Sequence, residues 1–181
     1  MPLKFDLSKY NNNNIFIETG TYMGDGVNAA INAGFKKIYS IELDDRRYLN
    51  CKNIFKDNDN VTILHGDSGK ILPKLLETIN EEITFWIDAH YCADGAMIGE
   101  KWCPLHEELN SIKNHNIKTH TILIDDWRCM ENTHVDTNTK KEVGFLGKEN
   151  CFKRLKEINP EYNFSFENGA IANDVLVCKI Y

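Results

Sequence analysis

The segment 15–26, with the sequence IFIETGTYMGDG, constrains the fold of this chain more than any other stretch. A short apolar run ends in the acid Glu18, a turn containing Gly20 and Gly24 follows, and apolar or small residues then recur at helical spacing. This pattern predicts a strand, a tight turn and a helix. Glycines let the backbone approach a ligand closely, and the N-terminus of the helix points N–H donors into the same crevice. The alternative is an ordinary strand-to-helix turn, because a glycine-rich turn alone is a weak signal.

The composition indicates one globular domain covering residues 1–181. The net charge of −6 opposes binding to nucleic acid through a basic surface, so we expect no nucleic-acid partner. No apolar run is long enough to span a membrane, and residues 1–10 lack the apolar centre of a signal peptide. We therefore expect no membrane partner and a cytoplasmic location, in which the six cysteines stay reduced.

Strand and helix patterns alternate along the rest of the chain. Apolar runs that predict strands follow at 37–43, 61–64, 83–87 and 121–124. The helix expected at 46–56 should turn Leu49 and Ile54 inward. Two last strand patterns, at 162–166 and 174–181, stand too close for a helix between them and must form an antiparallel hairpin. The expected fold is α/β, a Rossmann-like doubly wound seven-stranded sheet, mostly parallel and closed by a C-terminal antiparallel hairpin.

This layout and the motifs at the strand ends resemble the class I S-adenosylmethionine-dependent methyltransferases. The segments 18–24, 41–43 and 65–73 are similar to the catechol-type O-methyltransferases, where they hold the methionine part, the ribose and the adenine of S-adenosylmethionine (SAM). The resemblance implies the cofactor-binding residues Glu18, Gly20, Thr21, Gly24, Glu42, Asp67, Ser68 and Asp88.

Some of these positions also have a physical account of their own. An acid that ends a second strand, as Glu42 does, can accept hydrogen bonds from both ribose hydroxyls, and the alternative is a solvated acid. Asp67 is placed to accept from the adenine amino group and Ser68 to touch the ring, but either could instead cap the next helix. Because proline is tolerated only near a helix start, Pro73 predicts an accessible loop over 68–70.

Three carboxylates follow the fourth and fifth predicted strands. Asp88 comes after the fourth strand, and Asp125 and Asp126 come after the fifth, so all three should meet at the edge where open parallel sheets bind ligands. Converging carboxylates stay ionised most readily with a cation between them. The pattern resembles the metal site of catechol-type and macrolide-sugar-type O-methyltransferases, and all-oxygen ligands favour Mg²⁺, Mn²⁺ or Ca²⁺. The alternative is that one carboxylate caps a helix and another binds substrate without metal.

A zinc site is the competing hypothesis for the same edge of the sheet. The cysteines and histidines of the nearby loops are Cys92, Cys103, Cys129, His90, His106 and His134. Four such side chains can hold zinc in a tetrahedral site. Only Cys103 and His106 form a close pair in sequence, however, and lone cysteines are more often small core residues.

The sequence departs from the catechol-type pattern at the position of the catalytic base. That family places a lysine three residues after the fourth-strand acid, and Tyr91 stands there in this chain. His90 is the nearest group that can take a proton near neutral pH. We therefore expect His90 and Asp88 to be the catalytic residues.

The expected methyl acceptor is a small molecule. Flat rings and a charge that suit a sugar or another polyol come from Tyr91, Trp102, Trp127 and Arg128. The segments 91–102 and 130–150 should wall the acceptor site. Because only residues 1–14 precede the first strand, where that family carries helices, the site should be open or completed by the second subunit of a homodimer.

The sequence therefore predicts an enzyme that transfers the methyl group of SAM to an oxygen of a sugar or glycan precursor, with help from a divalent metal. Two alternatives stay open, an N-methyltransferase acting on an amino sugar and a non-catalytic nucleotide-binding protein. An NAD enzyme is disfavoured, because the Gly-Thr-Tyr-Met-Gly turn does not match G-x-G-x-x-G.

Overall fold

The computed structural model describes residues 5–90, 99, 101–131 and 146–181. The strands are β1 (Ile15–Thr19), β2 (Lys37–Glu42), β3 (Val61–His65), β4 (Ile83–Ile87), β5 (Thr121–Ile124), β6 (Asn163–Glu167) and β7 (Val175–Lys179). The α-helices are α1 (Asp25–Ala33), α2 (Asp45–Ile54), α3 (Ser68–Leu76), α4 (Leu105–Asn114) and α5 (Lys148–Ile158). Short 3-10 helices at Leu7–Tyr10 and Trp127–Glu131 lie before β1 and after β5. No helix in these described ranges has the length and apolar character needed to cross a lipid bilayer.

The strands form one seven-stranded sheet in the order β3-β2-β1-β4-β5-β7-β6. Strands β1 to β5 pair in parallel, whereas β7 runs antiparallel to both β5 and β6. The predicted fold class is therefore confirmed, including the C-terminal hairpin. Because the order of the strands reverses between β1 and β4, a crevice opens at the carboxyl ends of these two strands, where sheets of this type bind ligands.

The central strands are buried on both faces, which explains their continuous apolar sequences. Every residue of β1 and of β4 is buried. One face of the sheet packs against α3 and α5 through residues such as Leu72 and Leu155. The other face packs against α1, α2 and the first 3-10 helix through Val27, Cys51 and Leu7. The helices thus cover both faces of the sheet.

The expected inward face of α2 is wrong. Leu49 and Ile54 are 62% and 53% exposed. The helix instead turns Cys51 into the core, with Phe55 buried directly after its last turn. The two apolar side chains on its outer face are therefore surface residues.

The accessible loop expected over 68–70 is also wrong, because these residues form the first turn of α3. Asp67 caps the helix: its side chain accepts from the backbone N–H of Gly69, and its carbonyl accepts from Ile71 N at 2.9 Å. Pro73 lies inside the helix, where its ring removes one backbone donor without ending the helix.

Candidate functional site

The carboxyl ends of neighbouring strands bring the predicted acids to one edge of the sheet. Glu18 lies in β1, opposite Ser40 of β2. Glu42 ends β2, while Asp88 directly follows β4 and Asp125 directly follows β5. Side chains that are far apart in sequence therefore line one crevice.

Gly20 is the point where the turn after β1 passes against the end of β4. Its φ is +89°, and a Cβ at this position would lie 2.5 Å from the carbonyl oxygen of Asp88. The neighbouring Thr19 carbonyl accepts from Asp88 N at 3.1 Å, which holds the two strand ends together. A side chain at Gly20 would push these strand ends apart.

Gly24 has a different role, which is to pack against α2. Its φ is +85°, and an added Cβ would lie 2.7 Å from the ring of Phe55. Gly24 begins α1 as its N-cap and donates its N–H to the Thr21 carbonyl at 2.8 Å. Gly24 therefore shapes the turn through its close packing against Phe55 and its hydrogen bond to Thr21.

Glu18 lies behind the turn in a buried network. Ser40 Oγ donates to Glu18 Oε2 at 2.5 Å, and Thr21 Oγ1 lies 2.6 Å from Ser40 Oγ. A Cβ at Gly26 would lie 1.7 Å from Glu18 Oε1, so only glycine fits beside this carboxyl group. Burial raises the pKa of Glu18 to about 8, against the opposing effect of Ser40.

Glu42 ties the glycine turn to the end of β2. Its Oε2 accepts from Tyr22 N at 2.8 Å, and its Oε1 accepts from Asp44 N at 2.8 Å. The residue is 5% exposed. Each carboxylate oxygen has a second lone pair, so Glu42 can still accept hydrogen bonds from a ligand's hydroxyl groups.

Asp67 takes the capping role that the sequence left open between Asp67 and Ser68. Asp67 Oδ1 accepts from Gly69 N at 2.9 Å and so caps α3. Ser68 is 4% exposed, and its hydroxyl has no hydrogen-bond partner among the described residues. A Cβ at Gly99 would lie 2.9 Å from Asp67 Oδ2, so the chain passes close to this carboxyl group.

His90 lies between two carboxylates. Its Nδ1 is 3.3 Å from Asp88 Oδ1, and its Nε2 is 2.6 Å from Asp126 Oδ2. Burial lowers the pKa of His90, but the hydrogen bond with Asp126 and the charges of Asp88, Asp126 and Asp125 outweigh it and raise that pKa. Because both ring nitrogens face carboxylates, His90 can take a proton from a substrate only after one of these contacts is exchanged.

Asp88 is the member of this group that the crevice leaves accessible. Its side chain is 33% exposed, whereas that of His90 is 6% exposed. Loss of hydration raises the pKa of Asp88 to about 8; His90 opposes this rise, and the charges of Asp125 and Asp126 add to it. In its ionised form, this accessible carboxyl group can accept a proton from a substrate.

Arg128 ties the end of β5 to the start of β7. Its Nη1 donates to both Asp126 and Asp174, and its backbone N–H donates to Asp174 Oδ1 at 2.8 Å. Asp126 adopts a left-handed backbone with φ +51° and donates its N–H to Asp125 Oδ1 at 2.8 Å.

Burial raises the pKa of Asp125 to about 6.

The predicted metal ligands lie in two adjoining groups that share Asp126. Asp88 and Asp126 lie with His90, and Asp125 and Asp126 lie with Asp174. In each group, one ligand atom from each residue lies within 4.8 Å of the others. Two carboxylates with an imidazole are a donor set that fits Mn²⁺ or Mg²⁺, with the imidazole nitrogen favouring Mn²⁺.

The zinc hypothesis finds no support in the part of the chain that the structure describes. Cys92 and His134 lie outside the described residues. Cys103 is 3% exposed within the core, where burial raises the pKa of its thiol far above the usual range. The two metal-binding groups found among the described residues contain only Asp and His.

The residues expected to stack on an acceptor are placed unequally. Tyr91 lies outside the described residues, and Trp102 is half-buried. Trp127 is 5% exposed and packs between Phe152 and Phe166, with ring centroids at 5.1 and 5.9 Å. Its indole therefore belongs to the core and offers no open face.

Two buried acids at this edge were not predicted from the sequence. Glu108, in the first turn of α4, is 1% exposed, and Asp174, just before β7, is 3% exposed. An acid in the first turn of a helix is explained by the helix dipole alone, so no sequence pattern distinguishes Glu108. Asp174 lies in a hairpin connection, where acids are common.

Neither a protein-family model nor a curated protein sequence matches the chain. Solved structures do match it. A proposed caffeoyl-CoA O-methyltransferase from Staphylococcus aureus is 13% identical over 97% of this chain and 79% of its own, with a TM-score of 0.61. The SAH-bound methyltransferase PaMTH1 of Podospora anserina is 14% identical over 97% of this chain and 74% of its own, with a TM-score of 0.58. The chain has the class I methyltransferase fold. Human N-acetylserotonin methyltransferase in complex with SAM is 14% identical over 97% of this chain and 49% of its own, with a TM-score of 0.56.

Within this methyltransferase fold, the crevice fits a nucleoside ligand such as SAM. Gly20 leaves no room for a side chain beside Asp88, so a ligand in the crevice would meet bare backbone at the turn. Glu42 keeps free lone pairs for hydroxyl groups, and the buried Ser68 hydroxyl has no partner among the described residues. Polar atoms of this kind are the groups that a ligand can satisfy.

Proposed function

We propose that the protein transfers the methyl group of SAM to an oxygen of a small molecule, with a sugar or glycan precursor as the acceptor class. One observation carries the proposal: Glu42 and the Asp88–His90–Asp126 group share one edge of the sheet. An in-line displacement requires donor and acceptor to be held in alignment. A nucleoside-binding acid beside a group that can hold a proton supplies what such a reaction needs.

The chain's own residues would bind the methyl donor at three points. Glu42 accepts from the ribose hydroxyls, the turn at Gly20 lets the backbone reach the methionine part, and Ser68 lies at the adenine end. SAM, when bound, supplies a methyl group on a positively charged sulfur. The acids of the crevice favour a cationic ligand of this kind.

The proton of the acceptor hydroxyl would pass to the pair formed by Asp88 and His90. Asp88 is the accessible member, so it meets the acceptor first. His90 donates toward Asp88 and stabilises its charge, while Asp126 fixes the orientation of the imidazole through the 2.6 Å contact. This division of roles follows from the two occupied ring nitrogens of His90.

A divalent ion fits the same group of side chains. Asp88, His90 and Asp126 would hold it, with Asp125 beside them, in place of the direct contacts that His90 makes with the two carboxylates in the metal-free protein. The ion would supply positive charge that orients the acceptor hydroxyl and lowers its pKa.

N-methylation of an amino sugar is the second candidate function. The observation that favours it is the cluster of carboxylates at Asp88, Asp125, Asp126 and Asp174, which would attract an ammonium group. Such an acceptor needs a base and no metal.

The remaining proposals concern partners and location. We propose that the acceptor site is completed by a second copy of the chain, which light scattering can test. The described cysteines, Cys51, Cys103, Cys129, Cys151 and Cys178, are free thiols. Free thiols support a cytoplasmic location.

The test is transfer of a deuterated methyl group. The protein is incubated with methyl-deuterated SAM and a panel of sugars and amino sugars, with and without a chelator, and products are read by mass spectrometry. We expect labelled ether products, which chelation suppresses while S-adenosylhomocysteine (SAH) still binds. Label on nitrogen would favour the amino-sugar alternative, and full activity in chelator would rule out the metal. Absence of both labelled product and SAH release across the panel would contradict the proposed activity.

A further inference from the structure

Ser40 carries a buried hydroxyl behind the glycine turn for which the proposed reaction gives no role. It lies in β2, opposite Glu18 of β1, and is fully buried. Its Oγ donates to Glu18 Oε2 at 2.5 Å and lies 2.6 Å from Thr21 Oγ1. Ser40 therefore connects a buried acid to the residue that follows Gly20 in the turn.

The directions of these two hydrogen bonds follow from the chemistry of the groups. A serine hydroxyl has one hydrogen, and Ser40 gives it to the Glu18 carboxyl group. The hydrogen of the second contact must then come from Thr21, whose hydroxyl donates to Ser40 Oγ. A relay of two hydrogen bonds thus runs from Thr21 through Ser40 to Glu18 and fixes the side chain of Thr21.

Glu18 is a rigid end for this relay. Its carboxyl group lies against the first turn of α1, since a Cβ at Gly26 would lie 1.7 Å from Glu18 Oε1. Glu18 and Thr21 are 3% and 2% exposed, so water does not compete for their contacts. A buried network in which each hydroxyl has its partner holds its members in one arrangement.

Strand β2 holds the turn at two further points. The Ile41 carbonyl accepts from Gly20 N at 2.9 Å, and Glu42 Oε2 accepts from Tyr22 N at 2.8 Å. Three consecutive residues of β2 therefore hold three consecutive residues of the turn. Because Glu42 is also the acid proposed to bind the ribose, the turn and the ribose site share one support.

We propose that Ser40 is a positioning residue that acts through Thr21 and fixes the turn against which the methionine part of SAM binds. Glu42 lies two residues further along the same strand, so β2 sets the spacing between the sites for the methionine part and the ribose. The inference rests on the proposed function, because it assigns the turn to one part of bound SAM.

Two ligands separate the methionine part from the rest of SAM. SAH carries adenosine, sulfur and an amino-acid tail, whereas methylthioadenosine carries adenosine and sulfur without that tail. Ser40→Ala removes the relay and leaves Glu42 in place. We expect its SAH affinity, measured by calorimetry, to fall about tenfold, while its affinity for methylthioadenosine stays within about threefold of wild type. A general disturbance of the fold would weaken both ligands alike.

Thr21→Val tests whether Ser40 acts through Thr21. It removes the hydroxyl at nearly constant shape and should also weaken SAH about tenfold. If both residues act in one relay, the double variant Ser40→Ala/Thr21→Val should lose no more than about tenfold, whereas independent effects would multiply to roughly a hundredfold and overturn the relay. Thr21→Ser keeps a hydroxyl and should bind SAH as the wild type does.

Thr84→Val is the matched control. Thr84 is also fully buried in a central strand, and its hydroxyl donates to the Tyr10 carbonyl at 2.8 Å and accepts from Asn13 Nδ2 at 3.2 Å. It is the second residue of β4 and so lies near the amino end of that strand, away from the turn. This variant should melt at a lower temperature while its affinities for both ligands match wild type.

Each outcome decides a different claim. Unchanged SAH affinity in Ser40→Ala, or an equal loss for both ligands, would overturn the positioning role alone. If Ser40→Ala does not fold, unchanged SAH affinity in Thr21→Val overturns it instead. Wild-type protein that binds neither SAH nor methylthioadenosine would overturn the proposed function, and the positioning role with it.

Discussion

The two ends of the central strands both carry buried histidines, in opposite electrostatic settings. At the carboxyl end, His90 lies between Asp88 and Asp126, and its pKa is raised. At the amino end, His120 Nδ1 accepts from Ile83 N at 3.1 Å, and its Nε2 lies 2.9 Å from His115 Nδ1. Burial, reinforced by the nearby His115 and Lys118, lowers the pKa of His120 to about 3.

Hydrogen bonding explains the difference between the two ends. His115 Nε2 is 2.9 Å from the Ile79 carbonyl, to which it can donate, whereas His120 Nδ1 accepts from the backbone N–H of Ile83. These two backbone groups fix both imidazoles as the neutral tautomer that carries its hydrogen on Nε2. Every ring nitrogen at the amino end therefore has one protein partner. At the carboxyl end, the clustered carboxylates and the Ser68 hydroxyl can still form further hydrogen bonds. The saturated end maintains the fold, and the unsaturated end can bind a ligand.

The largest effect should come from Gly20→Ala, set against Gly34→Ala. Both glycines have φ +89°, but a Cβ at Gly20 would overlap the Asp88 carbonyl, whereas a Cβ at Gly34 meets nothing within 4 Å. We expect Gly34→Ala to cost about 1–2 kcal/mol of unfolding free energy for the backbone strain. Gly20→Ala should cost roughly 3–5 kcal/mol and abolish SAH binding. Denaturant unfolding measures the loss of stability in each variant, and calorimetry measures SAH binding. Equal losses in Gly20→Ala and Gly34→Ala would mean that the ends of β1 and β4 can move apart without cost.

Acid should destabilise the amino end next. His120 is neutral in the fold with a pKa of about 3, against 6.5 for the ordinary side chain. Its contribution to stability is therefore present above pH 6.5 and is lost as the pH falls from there toward 3. At about 1.4 kcal/mol per unit, the loss is on the order of 3–5 kcal/mol. In His120→Gln the amide can replace both contacts, so this acid-dependent loss should disappear.

His65→Gln is the control for that experiment, because the His65 side chain is 40% exposed at the end of β3. Its stability profile between pH 7 and pH 4 should follow that of the wild type. A His120→Gln profile that also follows the wild type would contradict the neutral pair.

Alkali should destabilise the carboxyl end by a smaller amount. Glu18 has a raised pKa of about 8, against 4.5 for the ordinary side chain. The stabilising, protonated form is fully present below pH 4.5, and its contribution is lost as the pH rises through 8. We expect Glu18→Gln to gain about 2–4 kcal/mol relative to wild type between pH 5 and pH 9 in denaturant unfolding. The exposed Glu81→Gln is the control, and a Glu18→Gln variant that gains no more than this control would show that Glu18 is ionised in the fold.

The smallest effect concerns His90 in metal-free protein. Asp126→Asn removes the charge at 2.6 Å, so the His90 pKa should fall below its wild-type value. NMR titration of the imidazole signals measures the change. Asp174→Asn, which acts on Arg128 instead, should move the His90 pKa less. Equal shifts of the His90 pKa in the two variants would mean that His90 responds to the summed charge of the nearby acids and not to Asp126 in particular.

The fold could be predicted because its signals are local. The run at 83–87 became β4 with the same bounds, and the short connection before β7 left the hairpin as the one solution. The face that α2 turns toward the core is not set by a local signal. Whether Leu49 or Cys51 faces inward depends on how the helix packs against Gly24 and Phe55, which no periodicity within the helix reveals.

The site was predictable where an acid ends a strand and was missed where packing brings a side chain in from elsewhere. Glu42 and Asp88 follow from strand ends, whose position in a parallel sheet is fixed by topology. Glu108 enters through contact between two helix starts, and Trp127 turns inward between the rings of Phe152 and Phe166. Such contacts link residues distant in sequence, so one sequence read by local pattern cannot show them.

Calorimetry of SAH binding, with NAD beside it, tests the central claim most directly. Wild-type protein should bind SAH and not NAD. Glu42→Ala should lose about 1.5–3 kcal/mol of binding free energy, because it removes the acceptor for two ribose hydroxyls. Protein that binds no SAH, or that binds SAH equally well after Glu42→Ala with the fold intact, would contradict the assignment of this edge as the SAM site.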